Sequence, residues 1–401
     1  GIPNELSISS RMIVPVLFSL FAVCNAQQIL NLKDFDVNTG TKISQVAPYA
    51  IYVSASTDDT TLLKQINVKT TDNQVKNLYD LSRNHIMQNT GLLQPFVVNV
   101  TTEASISTTL SAEQMGKLTG FLYITTSKQL TNNHFLVYNV QEAELIKVPT
   151  DDYTIVFLNS NYSILTSQPF QSSSISAWSQ TEGSSVKLYE GCPRDDAEKE
   201  NSQFFSNPAV MINGKQMFFP VVEIFSLSLG AFYFKSSKGV QFVISNEFTD
   251  VNNRPTTSKI TTGLYMKPIT VNDRKVSIFT GHDDKLNGTI GVNVVGSVPA
   301  NANFSVTYPI KWVTIPTNII QSWSIPEISD RLGLDTINSV AGEVFVQYYM
   351  IQGNQSINPV TTTMLPGRQT TSRGIETTTK SNAIVQLFTS FIITILGARY
   401  L

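Results

Sequence analysis

The chain reads as mostly β, with tandem antiparallel sandwiches or jelly rolls followed by a disordered stalk rich in Thr and Ser. Three observations predict this class. β-Branched and aromatic runs recur along the chain, bounded by Asn, Asp, Ser or Thr. Charged residues make up only 14% of the chain, a mixture that suits strands joined by polar turns. Helical signals are few, and none is long enough to build a bundle.

The strands follow in order. Phe96 to Val100, Gly120 to Thr125, Phe135 to Val140 and Tyr153 to Leu158 carry the first part of the pattern. Phe218 to Ile224, Ala231 to Phe234, Val240 to Ser245, Lys275 to Phe279, Phe304 to Tyr308 and Glu343 to Met350 carry the second. Short helices are expected at Asp58 to Leu63, Asn73 to Ser82 and Ile325 to Leu332.

A faint internal repeat suggests how the strands are divided. Thr119-Gly120-Phe121-Leu122-Tyr123 parallels Thr262-Gly263-Leu264-Tyr265. Later strands follow each copy, and Val148-Pro149 parallels Val298-Pro299. Together with a strand-poor stretch near Ser172 to Ser185, this predicts two sandwiches, residues 27–178 and 179–350. Residues 351–372 are then the stalk. From Thr361 to Ser381, ten of twenty-one residues are Thr or Ser, too polar to bury a core.

The segment Val298-Pro-Ala-Asn-Ala-Asn-Phe-Ser-Val-Thr-Tyr-Pro and the two Thr-Gly-Leu-Tyr-like strands resemble the CUB-like domain proteins of nematodes. The resemblance implies a jelly-roll-like sandwich, a secreted or surface glycoprotein, a non-enzymatic role and a link to innate defence. This chain lacks the paired cysteines that many of those proteins carry. Cys24 falls in the leader, so Cys192 stands alone and forms no internal disulfide. It reads as a buried, unreactive thiol, with an intermolecular bridge as the alternative.

Both ends carry processing signals. Residues 1–26 read as an upstream extension plus a signal peptide. Met12 opens the apolar stretch Ile13 to Val23, and Cys24-Asn25-Ala26 supplies the small residues before cleavage. At the other end, residues 373–401 read as a glycosylphosphatidylinositol signal. Ser372 is the expected attachment residue, with Ser381 or Asn382 as alternatives. A polar spacer and the apolar run Ala383 to Ala398 follow. That run counts sixteen residues, whereas a transmembrane helix needs roughly 20. A single-pass span is the alternative. The protein is therefore expected on the outer face of the plasma membrane or secreted.

Five sequons fit this route: Asn99-Val-Thr, Asn161-Tyr-Ser, Asn287-Gly-Thr, Asn303-Phe-Ser and Asn354-Gln-Ser. The formal net charge is −2, and no basic patch points to nucleic acid. His85, His134 and His282 are not spaced as a metal pair, and no nucleophile elbow, phosphate loop or dinucleotide fingerprint is present. No cofactor is expected. Candidate ion-binding turns are Asp151-Asp152, Asp195-Asp196 with Glu198, and His282-Asp283-Asp284, each of which reads first as a solvated acidic loop. Trp178, Trp312 and Trp323 read as packing residues before they read as a carbohydrate platform. The expectation is a non-enzymatic surface module for a protein or glycan ligand. A protective coat glycoprotein is the alternative.

Overall fold

The computed structural model describes residues 28–353, apart from 33–34, 36–39, 58, 89, 150, 161–171, 194, 196–202, 212–213, 269–274, 281–286, 297–302, 309–310, 316–320, 326–327 and 338–342. The chain is mostly β and its strand pairs are mostly antiparallel, as expected. Among the described residues the strands form six larger sheets and one two-stranded hairpin. The six sheets close in pairs over three cores.

The first pair joins Gln28–Asn31, Thr119–Ile124, Tyr49–Ser56 and Phe96–Val98 to a sheet of Thr41–Lys42, Ala104–Thr108, Ile66–Thr70 and Val75–Asn77. Alternation along Tyr49–Ser56 explains how it packs. Tyr49, Ile51 and Val53 point into this sandwich, and Ala50 and Tyr52 point the other way. Both faces are buried because a second sandwich covers the back of the sheet. Short helices sit at the margins. Thr60–Leu63 is capped by Asp59, and Leu78–Ser82 by Asn77. Ser111 and Thr126 each close a capping box over the helices Ala112–Met115 and Ser127–Leu130.

The second sandwich takes the order Gln203–Asn207, Ser185–Glu190, Ala231–Ser237, Tyr153–Leu158, Phe135–Asn139 in one sheet. Its other sheet runs Glu144–Val148, Val240–Ser245, Ser173–Gln180, Phe225–Leu227. Trp178 lies in this core, stacked on Phe242 at 5.4 Å and edge-on to Phe205 at 5.9 Å. The third sandwich pairs a sheet centred on Val344–Gln352 with one centred on Arg331–Ile337. Every residue of Val344–Gln352 is buried. Tyr348 lies over Gly263 and Tyr349 over Gly291, on opposite faces of the strand, and a Cβ at either glycine would collide with the ring.

Several expectations are corrected here. The predicted boundary near Ser172 to Ser185 falls inside a sheet, because Ser173–Gln180 pairs with both Val240–Ser245 and Phe225–Leu227. Tyr153–Leu158 likewise pairs with Ala231–Ser237 across that line. The first division therefore falls near residues 131–134. The second sandwich passes into the third without a clean break, because Val221–Val222 pairs with Ile260–Lys267. Three cores stand where two domains, 27–178 and 179–350, were expected. The internal repeat is not a structural duplication. Phe135–Asn139 pairs in parallel with Tyr153–Leu158, whereas Lys275–Phe279 and Asn303–Tyr308 both flank Arg331–Ile337. The helix expected at Ile325 to Leu332 is replaced by the strands Gln321–Ile325 and Arg331–Ile337. The apolar spacing there reflects sheet faces, since short apolar runs do not distinguish helix from strand. Residues 351–352 end a strand and are not part of the stalk.

Candidate functional surface

The first two sandwiches meet back to back. Tyr52 and Tyr123, a cross-strand pair at 6.2 Å, face Tyr189 and Tyr233, a second pair at 4.7 Å, with Val156, Leu158 and Cys192 filling the layer. Polar clasps close this layer at its edges. The Ser54 hydroxyl donates to Asn139 Oδ1 at 2.6 Å and accepts from the Ser160 N–H at 3.0 Å. At the other clasp Gln129 Oε1 accepts from the Tyr123 hydroxyl at 3.0 Å and the Thr126 N–H at 3.1 Å, while its Nε2 donates to the Pro193 carbonyl at 2.8 Å. The Thr126 hydroxyl reaches Asp195 at 2.8 Å.

A second joint ties the third sandwich on. Buried Gln347 accepts from the Ser206 N–H at 3.1 Å and donates to the Ser206 carbonyl at 2.7 Å, substituting for a strand ladder. Phe204 stacks on Phe345 beside it at 4.6 Å. Burial pushes Tyr52 up to about 12 and raises Tyr123 and the Cys192 thiol well above their ordinary values. Tyr52, Tyr123 and Cys192 therefore stay protonated at physiological pH. Sequence reasoning missed them, although the capping-box spacing Thr126 to Gln129 was a readable signal for one helix.

One loop crosses the first joint. Between Asn84 and Gln94 the chain folds back on itself, with the Gln94 N–H on the Asn84 carbonyl at 2.7 Å. It then pairs with the edge of the neighbouring sandwich. The Leu93 N–H reaches the Val137 carbonyl at 2.9 Å, the Asn139 N–H reaches the Gly91 carbonyl at 2.8 Å, and the Gly91 N–H reaches Glu144 Oε2 at 2.6 Å. The loop exposes Ile86 (54%) and Met87 (60%).

The sites expected from sequence are scattered. Asn99 is exposed in a turn closed by the Thr102 N–H on the Asn99 carbonyl at 2.9 Å. Asn287 is exposed too, and its carbonyl accepts from the Gly353 N–H at 2.8 Å. Asn303 begins a strand, but its side chain lies outside the described residues, as do Asn161, Asn354, Ser372, Ser381 and Asn382. Asp151 and Asp152 are exposed, and Asp196, Glu198, His282, Asp283 and Asp284 lie outside the described residues. His134 stacks on Tyr153 at 4.6 Å, apart from half-buried His85. Among the described residues no group of three or more His, Cys, Asp or Glu could hold a metal ion. The side chains of Trp312 and Trp323 are outside the described set.

At the open end of the first sandwich, Lys42, Ile43, Ser44, Gln45 and Glu103 line a depression of about 350 Å³, with Lys42 and Glu103 paired at 2.8 Å. Val46 (56%) and Val100 (71%) are exposed on the same two segments.

A family model described as "Transmembrane glycoprotein" matches residues 46–396. A comparison with curated proteins returns no match. Among solved structures, the CUB1-EGF-CUB2 domains of rat MASP-1 are similar at 10% identity, covering 54% of this chain and 99% of that one, with a TM-score of 0.19. At that score the fold rests on the strand pairing described above. Among the described residues no helix is long and apolar enough to cross a membrane, and the apolar run after residue 382 lies outside them.

Proposed function

The chain belongs to the transmembrane glycoprotein family, and from that premise we propose that it is a non-enzymatic surface module that binds a protein ligand. The observation that carries this reading is the loop Asn84 to Gln94. Apolar side chains on a loop tip lose little by burial against a partner only if the loop is already ordered. Here three hydrogen bonds to the neighbouring sandwich hold it while Ile86 and Met87 face solvent. The buried joints keep this loop at a constant distance from the rest of the ectodomain.

The C-terminal segment is the proposed membrane attachment. The family match runs through most of the apolar run, and the family's description favours a spanning segment alongside the lipid-anchor reading. Phosphatidylinositol-specific phospholipase C on intact cells separates the two. Release with anchored control proteins supports the lipid, and retention while the controls are released supports the span.

Binding is tested with the intact glycoprotein displayed on cells, by capturing and identifying surface proteins in contact with it and titrating each as a purified ligand. Saturable binding lost in Ile86→Asp and Met87→Asp, with folding intact by circular dichroism, supports the module. Saturable binding indifferent to both substitutions refutes the role of the loop. No saturable ligand on an abundant protein supports the coat reading.

A further inference from the structure

Two segments run side by side at the open end of the first sandwich. Their register is constant from Thr41↔Ile106 and Lys42↔Ser105, through the Ile43 N–H on the Ala104 carbonyl, to Tyr49↔Val98 and Ile51↔Phe96. The two segments have equal numbers of residues between the sheets, and Val46 and the sequon Asn99-Val100-Thr101 both fall in that crossing. Asn99 opens the turn within the second segment, between Phe96–Val98 and Ala104–Thr108. A turn of this kind keeps its first and fourth Cα atoms within about 7 Å, so the Cα of Glu103, the next residue, lies within roughly 11 Å of the Asn99 Cα.

Three features converge there. One is the exposed acceptor asparagine, and the second is two large apolar side chains left in water. The third is an open depression lined by hydroxyl, amide, ammonium and carboxylate groups from Ser44, Gln45, Lys42 and Glu103. A pyranose has an apolar face and a rim of hydroxyls and an acetamide. It matches a surface that offers Val46 and Val100 beside those polar groups.

We propose that this end of the first sandwich is a seat for the protein's own N-glycan. The core N-acetylglucosamine pair on Asn99 lies back across Val46 and Val100 and hydrogen-bonds into the Lys42–Glu103 depression. Besides marking the surface, the glycan then covers an apolar patch and stiffens the crossing between the two sheets. The inference rests on the reading of the chain as a surface glycoprotein.

The test uses the intact protein from glycosylating cells. Site occupancy is read by mass spectrometry, and amide hydrogen exchange is followed in segments 43–48 and 99–104. The forms compared are native protein, protein trimmed enzymatically to one sugar, fully deglycosylated protein, and Thr101→Ala, which removes the sequon but keeps Asn99. Expected results are occupancy at Asn99 and exchange in both segments faster by about tenfold in the deglycosylated and Thr101→Ala forms. Trimmed protein should lie between these and native. Val46→Ser with Val100→Ser should reduce the difference. Equal exchange in all forms of an occupied site overturns the seat, as does an unmodified Asn99 alongside a modified Asn287, which leaves the glycoprotein reading standing. No modification at any sequon overturns both.

Discussion

Gln129→Ala tests the first joint most directly. The substitution deletes three hydrogen bonds, from the Tyr123 hydroxyl, from the Thr126 N–H and to the Pro193 carbonyl. It leaves buried groups without partners, since Tyr123 is fully buried. At about 1 kcal/mol net per bond the loss is about 3 kcal/mol, or a fall of roughly 1–3 M in urea midpoint for the part that unfolds. The three tryptophans, at 178, 312 and 323, all lie beyond the first sandwich. Their fluorescence therefore reports on the second and third, while far-ultraviolet circular dichroism reports on all three. In native protein the joint should make the two signals change together. In Gln129→Ala the dichroism should begin to fall first, as the first sandwich unfolds alone. Tyr123→Phe added to Gln129→Ala should recover about 1 kcal/mol, because one orphaned donor is gone. Superposed transitions with a shift under about 0.5 kcal/mol would show that the clasp does not couple the sandwiches.

The remaining predictions concern the core and its protons. Gly291→Ala places a methyl against the Tyr349 ring and should cost about 1–3 kcal/mol by urea denaturation, with part of it regained in Tyr349→Leu. Cys192 should resist maleimide at pH 8 in the native protein and react fully once unfolded, because burial holds its thiol protonated. Alkaline stability should fall in a defined direction. Tyr52 and Tyr123 keep their protons longer folded than unfolded, so their contribution is complete below the ordinary tyrosine value of 10.0 and is lost as pH rises toward the folded values. Melting temperature should be flat through neutrality and decline above about pH 9–10, and a stability that rose there would refute the assignment.

How much was legible depended on range. Strand formers such as Tyr153 to Leu158 and Ala231 to Phe234 declared themselves locally, because β-branched and aromatic residues suit a pleated, half-buried surface. The number of sandwiches did not. Ser-rich Ser173–Gln180 looked like a linker, yet Ser173 and Ser174 are buried beside other strands, where small side chains let sheets approach. The joints were equally hidden. Ser54 and Asn139, or Ser206 and Gln347, are ordinary polar residues until folding brings them together from 85 and 141 positions apart.

By itself the sequence determined the class of structure, the places where sugars can attach and the chemistry that short motifs would have announced. These depend on the period of side chains along a strand and on tripeptides read in extended form. Only the tertiary structure decided which strands share a sheet, that three cores form, that Cys192 lies in a buried joint, and that Val46 and Val100 are left exposed. Those outcomes depend on pairings between distant segments. Many partners are compatible with any one strand, and the choice is made by burying all their faces at once.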